Sequence, residues 1–427
     1  MIEPLPVVRL LVILLLVALG TLVVTRRVRV PYTLGLVIAG LVISVFNLLP
    51  GLRLTPSIVL DVFLPALLFE GAWSLDLRQL RAVWQPVALL VVPALLLTVG
   101  VCAVVLHFAA GLAWGSALLL AAILAPTDPV AVLGLFRELG VGERLGTTIE
   151  AESLFNDGVA SVLYLVVLDL VLAAQDGHAI TAGAVGYGVV TGVLRLAVAG
   201  TLLGAVAGAG IGWALRWVDD PLSETTVTLV AAYGVYLLAD SLRVSGILAV
   251  VVMGLLLGYV GRRATMSQRT RDAVDGFWTQ IAFLANAVLF LLIGAQINLG
   301  QFVSGPNAPT LLAVAGWAIV AVLGGRAVAV YMLSPLAHLL RLPGSRSWPP
   351  ILLWAGLRGA LSLAFVLALP LSLRDRDLLV AATYGVVLFT LLVQGMTLRV
   401  VLKTLGFTDR HGSSAGTGTG TAHEPMA

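Results

Sequence analysis

Charge is what this 427-residue chain has least of: 11% of its residues are Asp, Glu, Lys or Arg, against 59% hydrophobic. With a mean hydropathy of +1.05, that scarcity excludes an ordinary soluble globular domain. Cysteine is nearly absent too. The single Cys102 excludes an internal disulfide and any cysteine-cluster metal site. A compact basic surface is also missing. The net charge is +3, but the arginines are scattered between apolar runs, so no nucleic-acid partner is expected. No apolar run carries a His-Glu-x-x-His pair or a Gly-x-Ser-x-Gly elbow, which argues against an intramembrane protease or another enzyme. His107, His178 and His338 lie near the ends of apolar runs, where histidines are ordinary.

Long hydrophobic runs are what the chain has in abundance. About 20 apolar residues cross a bilayer core. The runs fall at residues 6–24, 31–49, 56–73, 83–107, 112–136, 147–174, 183–214, 223–240, 245–260, 275–298, 309–339, 349–372 and 378–401. Backbone in lipid must satisfy its own hydrogen bonds, so these spans are expected to be helices. The predicted fold is therefore an all-α polytopic membrane protein of about 13 transmembrane helices. Seventeen Lys and Arg residues, among them Arg26, Arg78, Arg137, Arg216, Arg269 and Arg399, fall in one set of alternate loops, and five in the other. The positive-inside rule then puts the amino terminus outside and the carboxyl terminus in the cytoplasm. The first run is longer than a signal-peptide core and lacks a cleavage site before Arg26, so it is expected to stay. Residues 1–405 form the expected membrane domain, and residues 406–427, rich in Gly, Ser and Thr, a short disordered cytoplasmic tail.

Three stretches carry chemistry. In Ala125-Pro-Thr-Asp-Pro129, Pro126 frees the carbonyl of Ala122 and Pro129 that of Ala125. The helix is expected to break there, as the ion-site helices of secondary transporters do, with Asp128 between freed carbonyls. The plainer alternative is a proline kink with a structural aspartate. In Glu150-Ala-Glu-Ser-Leu-Phe-Asn-Asp-Gly158, a projection at about 100° per residue gathers Glu150, Glu152, Ser153, Asn156 and Asp157 on one arc of about 160°. Ser153 faces with Asp157, and Glu152 with Asn156 on the adjacent stripe. Oxygen groups of this kind suit hard cations, and intramembrane acids mark ion pathways. Glu150 is equally an interfacial charge. In Trp354-Ala-Gly-Leu-Arg-Gly-Ala360, Arg358 lies mid-span and needs a partner, Glu152 or Asp128. That fixed charge offsets one acid and leaves another free to exchange a proton for a cation.

Thr127-Asp128-Pro129, Glu152-Ser-Leu-Phe-Asn-Asp-Gly158 and Gly356-Leu-Arg-Gly359, in this order, resemble the cation:proton antiporter-1 family, specifically its prokaryotic NhaP-type sodium/proton exchangers. Phe63-Leu-Pro-Ala-Leu-Leu-Phe-Glu70 and the stretch from Phe277-Trp278 through Asn286 to Gly294 support the resemblance, which covers about residues 10 to 405. It implies two inverted six-helix repeats, spans 1–6 and 8–13, joined by span 7, with broken spans 5 and 12 crossing. It implies an ion-binding core part (spans 4–6 and 11–13) moving against an interface part (spans 1–3 and 8–10), a homodimer, and a prokaryotic cell membrane. Asp157 would bind the ion and the proton. Asp128, Ser153, Glu152 and the Thr127 carbonyl would be further Na+ contacts, with Asn156 ordering the site and Arg358 paired to Glu152. No cofactor is implied beyond the transported Na+ and H+. The Asn-Asp pair is associated in this superfamily with electroneutral one-for-one exchange. The expected mechanism is competition of proton and cation for Asp157. A potassium/proton antiporter with the same site, and a cation channel, are the alternatives. Regulation by a large cytoplasmic domain is not expected. Arg326, in Gly324-Gly-Arg-Ala327, is expected to make a structural ion pair with an unnamed partner, while Asp169 and Arg195 suit an interfacial position as well as a role.

Overall fold

The computed structural model describes residues 4–28, 30–49, 55–175, 182–218, 220–261, 266–297, 308–339 and 348–406. The expected tail lies, after Gly406, outside the described residues, as does His178. Among the described residues all regular structure is helical. The order is α1 (Pro4–Val28), α2 (Tyr32–Val45), α3 (Leu64–Ser74), α4 (Leu77–Leu89), α5 (Leu95–Phe108), α6 (Trp114–Ile123), α7 (Val130–Leu139), α8 (Glu143–Gln175) and α9 (Ala182–Ala214). Then follow α10 (Pro221–Ser241), α11 (Gly246–Val260), α12 (Gln268–Gln296), α13 (Ala308–Leu339), α14 (Trp348–Trp354), α15 (Ala360–Leu367), α16 (Arg376–Phe389) and α17 (Gly395–Thr404). Among the described residues eight helical stretches are long and apolar enough to cross a membrane, while α2, α6 and α11 are apolar but shorter.

Each predicted apolar run holds helix, and the main differences lie at the ends. Run 83–107 begins earlier, at Leu77, because Asp76 caps the helix by accepting from the Arg78 backbone N–H at 2.7 Å and Arg78 and Arg81 make its first turns too polar for hydropathy to register. Asp220 likewise caps α10 through Ser223, and these hydrogen bonds hold its carboxyl below the usual carboxylate range. Wider π-turns at Ile58–Phe63, Leu90–Ala94 and Thr390–Gln394 interrupt the regular hydrogen bonding. Pro65 and Pro93 account for the first two, since each removes an N–H from the ladder.

Packing is tight where small residues meet. Helices α2 and α12 press together at Gly40 and Gly294; a methyl at Gly40 would fall 2.8 Å from the Ala295 nitrogen, and one at Gly294 2.9 Å from the Leu41 nitrogen. Close backbone approach of this kind is how apolar helices associate where lipid offers no hydrophobic contrast. Helices α9 with α11, α5 with α13, α3 with α11 and α13 with α16 make the other extensive pairings.

Two helical runs are broken in the middle. Between α6 and α7, residues 125–129 form no regular structure, and between α14 and α15, residues 356–359 form none either. The break at Pro126 fits the bias of a pre-proline residue against helix. The two links cross, joined by a backbone hydrogen bond from Asp128 N–H to the Leu357 carbonyl at 2.8 Å. Of the two carbonyls expected to be free, that of Ala125 is released from the helix, but that of Ala122 is not. The last turn of α6 tightens, and the Ala122 carbonyl accepts from Ala125 N–H at 3.2 Å, a common ending for a helix.

Candidate functional site

The crossing places four helix ends of alternating sign next to one another. The C-terminal end of α6 carries partial negative charge, and Arg358 meets it: its Nη1 donates to the Ala125 carbonyl at 3.3 Å and the Pro126 carbonyl at 3.2 Å. The N-terminal end of α7 is positive, and Asp128 meets it, its Oδ1 accepting from Val130 N–H at 3.0 Å. Arg358 is held from behind as well, its backbone N–H donating to Thr390 Oγ1 at 3.1 Å within the last π-turn. Gly359 is needed where the chains pass. A methyl there would fall 2.8 Å from Asp128 Cβ.

Helix α8 runs unbroken past this crossing and offers it two stripes. Ser153 and Asp157 face a cavity of about 600 Å³ that Thr127, Asp128 and Gly359 also line. Ser153 Oγ and Thr127 Oγ1 are 3.0 Å apart and hydrogen-bonded. Asp157 Oδ1 is buried and has no donor among the described residues, so one carboxylate oxygen is available to a cation or a proton. The second stripe turns away. Glu152 and Asn156 are each 2% exposed and do not line the cavity; Asn156 Nδ2 donates to Glu152 Oε1 at 3.3 Å.

The expected pairing of Arg358 with Glu152 is corrected by this geometry. Glu152 Oε1 pairs instead with Arg326 Nη1 from α13, the only salt bridge among the described residues with both side chains buried. Arg326 completes its set on α14, where Nε and Nη2 each donate to the Leu352 carbonyl at 3.2 Å. Arg358 instead places its Nη1 on the carbonyls at the end of α6, while its buried Nε makes no hydrogen bond among the described residues. The unnamed partner of Arg326 is thus Glu152, on a helix more than 150 residues away in sequence. Its position mid-span, directly after Gly324-Gly325, is the signal that singled out Arg326.

Asp157, Asp128, Ser153 and Thr127 are therefore brought together on the cavity wall, whereas Glu152, Asn156 and Arg358 lie behind it. Asn286 and Thr279 from α12 line the opposite wall; they entered the sequence reading only as part of a longer stretch, or not at all. The cavity extends from the crossing toward Glu70, Ser74, Arg137 and Glu150, at the end of the bundle where α3 and α7 finish and α8 begins. Glu150 accordingly sits at the mouth rather than at the crossing. Beyond the crossing, toward the other end, Leu363, Ala364 and Val387 pack with Leu36, Val37, Val59 and Phe290 in one buried apolar cluster. Asp169 and Arg195 are exposed on α8 and α9.

An all-helical bundle with two interrupted helices crossing beside a cavity-lining carboxylate has the architecture of a secondary transporter. Comparison with known proteins makes the class specific. Residues 11–404 match the family described as sodium/hydrogen exchanger, transmembrane, and the chain belongs to that family, whose members are transporters and not enzymes. The chain is 41% identical over 380 residues to the Na+/H+ antiporter ApNhaP of Aphanothece halophytica, covering 88% of this chain and 70% of that one. It is 36% identical over 420 residues to the Na+/H+ antiporter NhaP of Pseudomonas aeruginosa, covering 91% and 95%. Its fold is similar to that of the sodium proton antiporter MjNhaP1 from Methanocaldococcus jannaschii, with a TM-score of 0.75 at 21% identity over 93% of this chain and 98% of that one.

Proposed function

We propose that the chain exchanges Na+ for H+ one for one, by alternating access, with cation and proton competing for Asp157. The observation that carries this reading is the unpartnered, buried Oδ1 of Asp157 on the wall of the cavity. In the sodium-loaded form, Asp157, Asp128, the Ser153 hydroxyl and the Thr127 carbonyl supply oxygen ligands, which suit a hard cation. Glu152, expected as a direct contact, acts from behind, anchored by Arg326 and steadying Asn156.

A charge count supports electroneutrality. Arg326 offsets Glu152, and Arg358 offsets Asp128 through the opposed helix ends each one meets. Asp157 is the one acid without a fixed counter-charge, so one proton or one Na+ neutralises the site equally. Carrying the uncompensated carboxylate through the apolar interior is costly, and the empty site stays where it is.

The same reading takes the thirteen helical runs as crossings arranged in two inverted repeats of six. The breaks lie in runs five and twelve, seven apart, as spans related by such a repeat would place them. The core part is α4–α8 with α13–α17, moving against α1–α3 with α10–α12, and α9 links them. The arginine asymmetry puts the mouth at Arg137 on the cytoplasmic side of a prokaryotic cell membrane. The conformation is then inward-facing, with the apolar cluster around Leu363 and Phe290 as its outer seal. The assembly is a homodimer.

The test is a sodium pulse onto purified protein in proteoliposomes carrying a pH gradient and a pH-sensitive dye, with potassium in parallel and Asp157→Ala beside it. Sodium-driven proton movement that vanishes in the variant is the expected result. Transport that persists in Asp157→Ala at every pH overturns the site, and a response to potassium alone overturns the substrate.

A further inference from the structure

A second cavity, of about 650 Å³, lies on the other side of α7 from the ion cavity. Its walls are the end of α1 and the start of α2 on one side and α7 and α17 on the other. Two arginines stand at its mouth. Arg26, in the last turn of α1, is exposed and makes no hydrogen bond or ion pair with the described residues. Arg399 reaches it from α17 and holds Glu138 of α7 at 2.7 Å. Going inward along α7, the wall runs from Glu138 through Leu135 and Ala131 to Val130. The eight helical steps from Glu138 to Val130 give a depth of about 12 Å, and polarity falls along it: charge lies at the mouth, with Leu22 and Val130 below.

That gradient selects the occupant. A small anion would meet the arginines but leave the apolar floor in contact with water. A hydrocarbon chain alone would leave Arg26 without a counter-charge. A molecule with a phosphate at one end and acyl chains at the other matches both, and basic pockets between transmembrane helices on the cytoplasmic side are where anionic lipid headgroups bind. The mouth lies at the arginine-rich ends of the bundle, the level at which such headgroups sit.

We propose that this crevice binds the phosphodiester headgroup of an anionic glycerophospholipid, and that the bound lipid braces α7 and tunes cation affinity at Asp128. The coupling is geometric. Val130 and Gly134 line both cavities, so α7 is a single-helix partition between them. Asp128 caps its first turn, and a lipid that fixes the partition from one side fixes Asp128 on the other. The headgroup also competes with Glu138 for Arg399, which links occupancy to the tie between α7 and α17.

The test has two arms. The full-length protein is exchanged into phosphatidylglycerol or phosphatidylcholine and the lipid retained on it is counted by native mass spectrometry. The proteins are wild type, Arg26→Gln, Ala131→Leu to fill the crevice, and Arg27→Gln, whose exposed arginine does not line it. Wild type and Arg27→Gln are expected to retain phosphatidylglycerol over phosphatidylcholine, and Arg26→Gln and Ala131→Leu to lose about fivefold of that retention. Equal retention in all four proteins overturns the site. Displacement of the lipid by inorganic phosphate at matching concentration, or retention by dimers alone, overturns the occupant. This arm stands whether or not the chain exchanges sodium. The second arm rests on that reading and measures the apparent KM for Na+ in vesicles with and without phosphatidylglycerol. A shift of about threefold in wild type that is lost in Arg26→Gln supports the coupling, and an equal shift in both overturns it.

Discussion

The crossing of the broken helices and the unbroken helix beside it hold buried arginines by opposite means. At the crossing, Arg358 spends its charge on backbone, the carbonyls of Ala125 and Pro126. Beside α8, Arg326 spends its charge on a carboxylate, Glu152. The first arrangement neutralises a helix end that exists only because the helix is interrupted. The second neutralises a buried acid behind the cavity wall. The lesson is that two guanidinium groups of the same charge, both in the core, have separable jobs: one meets the helix end at the break, and the other gives Glu152 a fixed counter-charge.

Substitutions can break this comparison in order of expected size. Asp157→Ala should reduce sodium-driven proton flux to background, more than the roughly 10- to 100-fold loss typical of an outer contact, with the purified protein still folded by thermal shift. Arg326→Leu leaves Glu152 buried and unpaired, a situation that costs about 3–5 kcal/mol, and should lower the melting temperature in detergent. Adding Glu152→Leu should restore most of it, by the logic of a double-mutant cycle. Arg358→Ala removes two charge-assisted hydrogen bonds worth about 1.5–3 kcal/mol each. Here Glu152→Gln should give no rescue, and recovery in that double variant would mean that Arg358 and Glu152 pair during the cycle. Gly359→Ala pushes Asp128 off its place, and the apparent KM for Na+ should rise about tenfold, with little change in stability. Ser153→Ala removes one hydroxyl, worth about 1 kcal/mol, and should raise KM only about fivefold. A larger effect than that of Gly359→Ala would move Ser153 from supporting ligand to principal one.

Much of this architecture was legible in the sequence, because hydropathy reads a bilayer thickness directly. Run 112–136 covers α6 and α7 except the last turn of α7, which continues to Leu139, and run 147–174 lies within α8. The proline pair announced the first break. The second break carries no proline, only Gly356-Leu-Arg-Gly359, and resemblance rather than local chemistry pointed to it. Helical projection found both stripes of α8 and paired their members properly, as the Asn156–Glu152 hydrogen bond shows. Projection could not say that only one stripe faces the cavity, since both lie on one arc and the choice belongs to the neighbouring helices. The residues themselves leave Arg358 two candidate acids, Glu152 and Asp128, and the resemblance implies Glu152. A single sequence carries no register between α8, α13 and the crossing, so the backbone carbonyls that Arg358 meets are not legible in it.

The reach of Arg358 to Ala125 spans 233 residues of chain, and this separation sets an order of manufacture. When α6 and α7 leave the ribosome, the carbonyls of Ala125 and Pro126 have no guanidinium to meet, and they lie at a depth where lipid offers none. The first half of the molecule must therefore wait in the membrane, wet or shielded at its break, until more than half of the protein has followed. Closure of the early break then depends on the arrival of a late arginine, with only α15, α16 and α17 still to follow. Chains stopped short of α14 should be recognised by membrane quality control as unfinished, even with every earlier helix in place.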